Sequence, residues 1–391
     1  MASSAPLPLE GTVVLDLTRL LPGNYATLLL ADLGADVVKV EEPGRGDYIR
    51  WMPPMVDGDG AIHRALNRNK RSLTLNLKDP EGVRLLRRLA EGADALVESF
   101  RPGVLDRLGA GYEALAEANE RLVYCAITGF GQDGPYRDRV GHDINYIGYA
   151  GLLDATGTPD GPPVLPSVQV GDFGGGMAAA LGLAAAVADA RRSGRGRFVD
   201  VSMLDVVTSW LGVLSSWYLA MGTPPPRGGM PLTGGMAWYR VYRTRDGRHL
   251  AVGAIEERFW RALCDELGVP DLADEQYAPR ERQEEIAARL GAIFASMDRD
   301  EWVRRLAPLE ACVGPVNDVG EAMEDPQIVH RGTVARVNGV PVGPGPAIKV
   351  SATDPKEPAA APALGEHTGE ILRSLGLDEE QISDLRAHRI V

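Results

Sequence analysis

The chain reads as an α/β protein, with a large doubly wound (Rossmann-like) domain followed by a smaller α+β domain. Three observations predict this. Short apolar runs alternate with amphipathic stretches through the first half, the pattern of strands joined by crossover helices. A Pro/Gly run, Thr223-Pro224-Pro225-Pro226-Arg227-Gly228-Gly229, then interrupts the chain. Beyond it lie a hairpin signal around Arg245-Asp246-Gly247 and several helical stretches. At 391 residues the chain exceeds what one core usually serves. The expected limits are 1–222 for the large domain and 223–332 for the small one. Residues 333–391 are expected to form an extended linker and C-terminal helices that return to the large domain.

Val13 to Leu17 predicts a buried strand, Tyr25 to Leu33 a helix introduced by Pro22-Gly23, and Asp36 to Glu41 a second strand, together a β-α-β unit. Leu73 to Leu77 alternates as a strand, and Asp79-Pro80-Glu81 opens an amphipathic helix through Leu89. Ala93 to Ser99 and Leu122 to Thr128 predict further strands, with a helix from Tyr112 to Asn119 between them. An Ala/Leu-rich helix follows from Met177 to about Ala190, then a strand at Phe198 to Val201 and a long helix from Leu204 to Met221. In the second domain Trp238 to Arg243 and Arg248 to Val252 predict paired strands. Helices are expected over Glu256–Leu267, Arg280–Ser296 and Arg299–Leu306. Gly339 to Pro362 is the linker, and His367–Leu375 and Glu379–His388 are the closing helices.

Composition removes several classes. A net charge of −13 argues against nucleic acid or an anionic membrane as the main partner. Cys125, Cys264 and Cys312 show neither disulfide nor metal spacing, which points to a reducing cytoplasm. The start, Met1-Ala2-Ser3-Ser4-Ala5-Pro6, lacks the features of a signal peptide, and the most apolar window, Met177 to Val187, is too short to span a bilayer. Gly129-Phe130-Gly131-Gln132-Asp133-Gly134 matches a dinucleotide fingerprint, but Pro135 follows and no apolar helix does.

The segment Gly141 to Gly176 carries the chemistry. It opens with Gly141-His142-Asp143-Ile144-Asn145-Tyr146 and closes with Gly171-Asp172-Phe173-Gly174-Gly175-Gly176, directly before the Ala/Leu-rich helix. Asp172 is placed as the N-cap of that helix, and Gly174 would let an anionic oxygen approach the free backbone N–H groups. A carboxylate, an imidazole and a helix N-terminus together suit removal of a proton from carbon. A second group is basic: Arg64, Arg68, Lys70 and Arg71 in one run, with Lys39, Arg45, Arg50 and Arg101 near strand ends where open α/β sheets bind ligands. Guanidinium forks suit phosphate oxygens. Lys39, Arg45, Arg68, Lys70, Arg71 and Arg101 are therefore expected at a phosphate-bearing ligand.

These stretches, with Asn67-Arg68-Asn69-Lys70-Arg71-Ser72-Leu73 and Phe100-Arg101-Pro102-Gly103, resemble the family III CoA-transferase superfamily along the whole chain. The two stretches that bound Gly141 to Gly176, and Gly253-Ala254-Ile255-Glu256, resemble its α-methylacyl-CoA racemase branch. The resemblance implies an interlocked homodimer, an acyl-CoA thioester as substrate, and no metal or separate cofactor. It implies His142 and Asp172 as acid/base residues and Glu256 as the partner of His142, with Glu257 one residue away. A CoA transferase with Asp172 as nucleophile and a non-catalytic CoA-ester binder remain open. Apolar residues after Tyr146 and around Trp210, Trp217 and Trp238 are candidates for an acyl pocket.

Overall fold

A computed structural model describes residues 5–351 and 357–391. The first four residues, on which part of the signal-peptide reading rests, and 352–356 of the expected linker lie outside the described residues.

The main sheet begins with β1 (Val13–Leu17) and β2 (Asp36–Glu41). A short antiparallel ladder, β3 (Met55–Val56) with β4 (Asp59–Gly60), precedes β5 (Arg71–Thr74), β6 (Ala95–Glu98), β7 (Val123–Thr128) and β8 (Phe198–Ser202). The six long strands run parallel in the order β5-β2-β1-β6-β7-β8. The chain therefore starts mid-sheet, steps outward to β5, and returns past β1 to build the other half. The reversal falls between β1 and β6, where open parallel sheets leave a crevice at their carboxyl ends.

Successive residues of β1 feed opposite layers, as a two-residue period requires. Leu15 and Leu17 join Leu85 and Leu86 of the Pro80–Glu91 helix, and Ile371, Leu372, Ile382 and Leu385 from the C-terminal helices Thr368–Ser374 and Glu379–Ala387. Val14 faces Ala26 and Leu30 of the Leu20–Asp32 helix and Ala179, Leu183 and Val187 of the Val170–Ser193 helix. That last helix has 24 residues and is apolar and long enough, by length and composition, to cross a membrane. The Met177–Val187 window thus understated it, because the glycines before Met177 are helical. Its buried stripe is packed into this core.

Two compact units are distinguishable. One comprises residues up to Ala150, Ser167–Trp210 and Pro326–Val391, the other Gly151–Pro166 and Leu211–Asp325. The smaller unit has an antiparallel sheet of β9 (Tyr239–Arg243), β10 (His249–Gly253) and β11 (Val313–Pro315), in the order β11-β10-β9. Three residues containing Gly and Pro are too few to show alternation, which is why β11 is invisible in the sequence. Trp260, Phe294 and Trp302 fill this unit's core with Tyr242 and Leu250. Trp238 is buried there too and donates its indole N–H to the Gln276 carbonyl at 2.8 Å, so it is a core residue rather than a pocket wall.

Three other expectations change. The first helix begins at Leu20, five residues early, since Pro22 in its first turn needs no N–H partner. The single long helix expected from Leu204 is two, Met203–Trp210 and Gly212–Met221. Part of the expected linker is a hairpin, β12 (Val334–Val337) with β13 (Val340–Pro344), turned by Asn338 and Gly339 at φ +50° and +78°.

Candidate active site

Where β1, β6 and β7 end, a pocket of about 650 Å³ opens within the larger unit. Arg19, Phe100, Arg101 and Phe130 come from loops beyond these strands, and His142 and Asp172 line the same pocket. Sequence motifs 30 residues apart thus meet at the sheet's switch point.

Asp172 is not the N-cap. It is the third residue of the Val170–Ser193 helix, whose cap position, Gln169, makes no side-chain bond. The first-turn donors are met from elsewhere: Asp143 Oδ1 accepts the N–H groups of Gly171 at 2.6 Å and Asp172 at 3.1 Å. Asp143 itself opens the Asp143–Ala150 helix, which His142 immediately precedes, so one carboxylate fastens that helix to the one that carries Asp172. Burial, and then the neighbouring Asp143 charge, push the Asp172 carboxyl up to about 7. The helix dipole acts in the opposite sense. Burial also pushes Tyr146 up to about 12; its hydroxyl donates to the Gly141 carbonyl at 2.5 Å and pins the turn before His142. His142 is exposed, its backbone N–H donates to Asn145 Oδ1 at 3.0 Å, and its ring makes no hydrogen bond among the described residues of this unit.

Gly174 is corrected as well. It lies buried inside the helix, and a Cβ there would come within 2.6 Å of the Trp210 ring, so its smallness serves packing rather than an approaching ligand. Gly176 is tighter in a different way: a Cβ would sit 2.4 Å from the backbone oxygen of Pro22. Backbone moves less readily than a side chain. Gly176→Ala is expected to cost about 1–3 kcal/mol by overpacking, read as a lower denaturant midpoint; an unchanged midpoint would refute the close contact.

The sequence profile of CoA-transferase family III matches residues 9–368. The chain belongs to that family. It is 35% identical over 395 residues to a mouse succinyl-CoA:glutarate CoA-transferase, covering 98% of this chain and 90% of the relative. It is 36% identical over 395 residues to human α-methylacyl-CoA racemase, covering 98% of each. A crystal structure of a CAIB/BAIF family protein from Brucella suis superposes with a TM-score of 0.85 at 34% identity, covering 95% of this chain and 100% of that one.

An acyl-CoA ligand fits the family, yet most of the expected phosphate contacts are committed elsewhere. Lys39 is fully buried, 3.1 Å from Asp47. Arg68 is buried in a bidentate pair with Asp32 and also bonds the Pro344 carbonyl. Lys70 is buried beside Asp16, Thr27 and Asn67, and burial pulls its ammonium down to about 7. Arg71 holds Asp36 and Glu370. Arg50, also near a strand end, is bound to Glu41. These cations tie the fold together. Arg101 is exposed on the pocket, and Arg45 is exposed on a second pocket of about 640 Å³ nearby. Sequence reasoning missed Arg19, Arg137 and Arg139, which also line the first pocket. The Arg139 guanidinium lies 3.9 Å above the Tyr136 ring and bonds the Tyr149 hydroxyl at 2.7 Å. The spacing of Tyr136, Arg139 and Tyr149 was the available signal.

In the smaller unit, Glu256 is the exposed N-cap of the Glu257–Glu266 helix and makes no cap bond, whereas Glu257 pairs with Arg261 at 2.8 Å. Among the described residues no group of three or more His, Cys, Asp or Glu is arranged to hold a metal ion.

Proposed function

We propose that this chain inverts C2 of 2-methylacyl-CoA thioesters by moving a proton off and back onto that carbon. The observation that carries this reading is the single pocket lined by both His142 and Asp172, with Asp172 held near neutrality. A group titrating near the working pH serves equally as base and as acid. One of the pair takes the C2 proton, the electrons move to the thioester oxygen, and the other returns a proton to the opposite face. The developing oxyanion is stabilised by the positive end of the Val170–Ser193 helix. The Asp172 N–H, whose bond to Asp143 Oδ1 is longer than that of the Gly171 N–H, is the donor for which that oxygen competes.

Glu256, from the other subunit of an interlocked homodimer, is proposed to set the tautomer of His142; this rests on the family resemblance. Co-expressing His142→Ala and Glu256→Ala chains should then restore part of the activity through one intact site per heterodimer. Heterodimers as inactive as their parents would refute a shared site. We place the enzyme in the cytoplasm, with no bound metal or cofactor. A second reading has a specific basis, since a raised carboxyl also suits a nucleophile and similar relatives are CoA transferases. There Asp172 would attack the thioester to form a mixed anhydride and free CoA thiolate. The thiolate would attack the Asp172 carbonyl and release the donor acid, and a second acid would take CoA from Asp172 by the same two steps in reverse.

Incubation with a 2-methylacyl-CoA in heavy water distinguishes them. Racemase chemistry places deuterium at C2 with no acceptor acid present. Turnover that demands a second carboxylic acid, without label uptake, would replace the proposal with the transferase.

A further inference from the structure

Thr18, Arg19 and Leu20 form the turn between β1 and the first helix, and its backbone is held almost entirely by buried side chains. Thr18 N–H donates to Asp16 Oδ1 at 2.9 Å, and the Thr18 carbonyl accepts from Lys39 Nζ at 3.0 Å. Arg19 N–H donates to Ser99 Oγ at 3.0 Å, and Leu20 N–H donates to Asp47 Oδ1 at 3.1 Å. Leu20 stands at φ +62°, a left-handed conformation that costs an ordinary residue roughly 1–2 kcal/mol. Local preference does not make this turn. The Lys39–Asp47 pair, with side chains 0% and 1% exposed, imposes it from below.

What the turn presents is Arg19. Its guanidinium carbon lies 5.6 Å from the ring centroids of both Tyr48 and Phe100. These three residues line both pockets, so Arg19 stands on the wall between them. Its carboxylate partner, Glu42, is 4.0 Å away, and its bond to the Tyr48 hydroxyl is 3.5 Å long. The fork is oriented by aromatic faces while most of its donors stay open.

We propose that Arg19 binds an anionic oxygen of the ligand, and that the Lys39–Asp47 pair is the positioning device that aims it. This rests on the reading of the ligand as a CoA thioester. The oxygen belongs either to a phosphate of CoA or to a carboxylate on the acyl group, and both suit a guanidinium fork.

Calorimetric titration with CoA, and with the CoA thioester of a dicarboxylic acid, separates the two sources without requiring turnover. If Arg19 holds a phosphate, Arg19→Gln weakens both ligands about 10- to 100-fold. If it holds a carboxylate, only the dicarboxylic thioester weakens. If neither weakens, the inference is wrong. Failure of the unaltered chain to bind CoA would overturn the ligand reading itself, whereas absence of C2 exchange leaves this result standing. For the positioning role, Lys39→Met/Asp47→Leu removes both buried charges together. It should weaken binding as much as Arg19→Gln, raise KM rather than lower kcat, and add nothing in the triple variant. Additive losses would show that the pair does not act through Arg19. Should that variant not fold, Asp47→Asn removes the charge that pairs with Lys39 while keeping the size of the side chain, and wild-type affinity there would overturn the positioning claim.

Discussion

Replacing Asp172 with Asn is expected to slow deuterium exchange at C2 by about 10²–10⁴-fold, the range that a positioned acid or base supplies. The amide keeps the size of the side chain and loses the proton. The wild-type rate should inflect near pH 7, where burial and the Asp143 charge place the Asp172 carboxyl, and the residual rate of the variant should lack that inflection. Stability supplies an independent reading. The folded carboxyl titrates at about 7, above its unfolded value of roughly 3.9. Between those pH values the unfolded chain has already released the proton that the fold retains, so stability falls as pH rises, and the whole cost is present above pH 7. Asp172→Asn removes that cost. It should therefore melt higher than wild type at pH 8 and at nearly the same temperature at pH 4. A variant that is inactive and also less stable at pH 8 would indicate damage to the fold, and the assignment of Asp172 as a proton carrier would fall.

Arg68→Met is expected to destabilise the protein by about 3–5 kcal/mol while leaving the CoA affinity of the folded molecules unchanged. The side chains of Arg68 and Asp32 are 1% and 6% exposed, so deleting the guanidinium leaves a nearly buried carboxylate without its counter-charge, held by the Asn69 amide. The Pro344 carbonyl loses its donor as well. Removing both charges, as Arg68→Met/Asp32→Leu, should recover much of the loss, since a buried pair exchanged for apolar groups is often neutral. Chemical denaturation followed by calorimetry with CoA checks both halves. A stable Arg68→Met protein that no longer binds CoA would reinstate the phosphate role that the residue type suggests.

The strands were legible because their signal is local. Val13–Leu17 and Asp36–Glu41 form where the apolar runs place them, and Asp79 caps the Pro80–Glu91 helix by accepting the Glu81 N–H. The signal for the hairpin at Asn338-Gly339 is equally local, but the surrounding Pro and Gly mask it as linker. Asp172 shows the opposite limit. An acid ahead of an apolar run reads as a cap, but three glycines that weaken a helix in isolation are helical here. Trp210, Met203 and the Pro22 backbone fit against them, and no composition rule anticipates contacts of that kind.

From the sequence alone came the parallel α/β class and the family, and the motifs that bring His142 and Asp172 to one pocket, because alternation and motif chemistry are written in consecutive residues. Only the tertiary structure decided which charges line a pocket and which face one another. Arg68 meets a partner 36 residues away, Arg71 one 299 residues away, and Lys39 has no surface at all. A cation's role depends on its distance from a counter-charge and on its loss of water, and both are set by packing between segments remote in the chain.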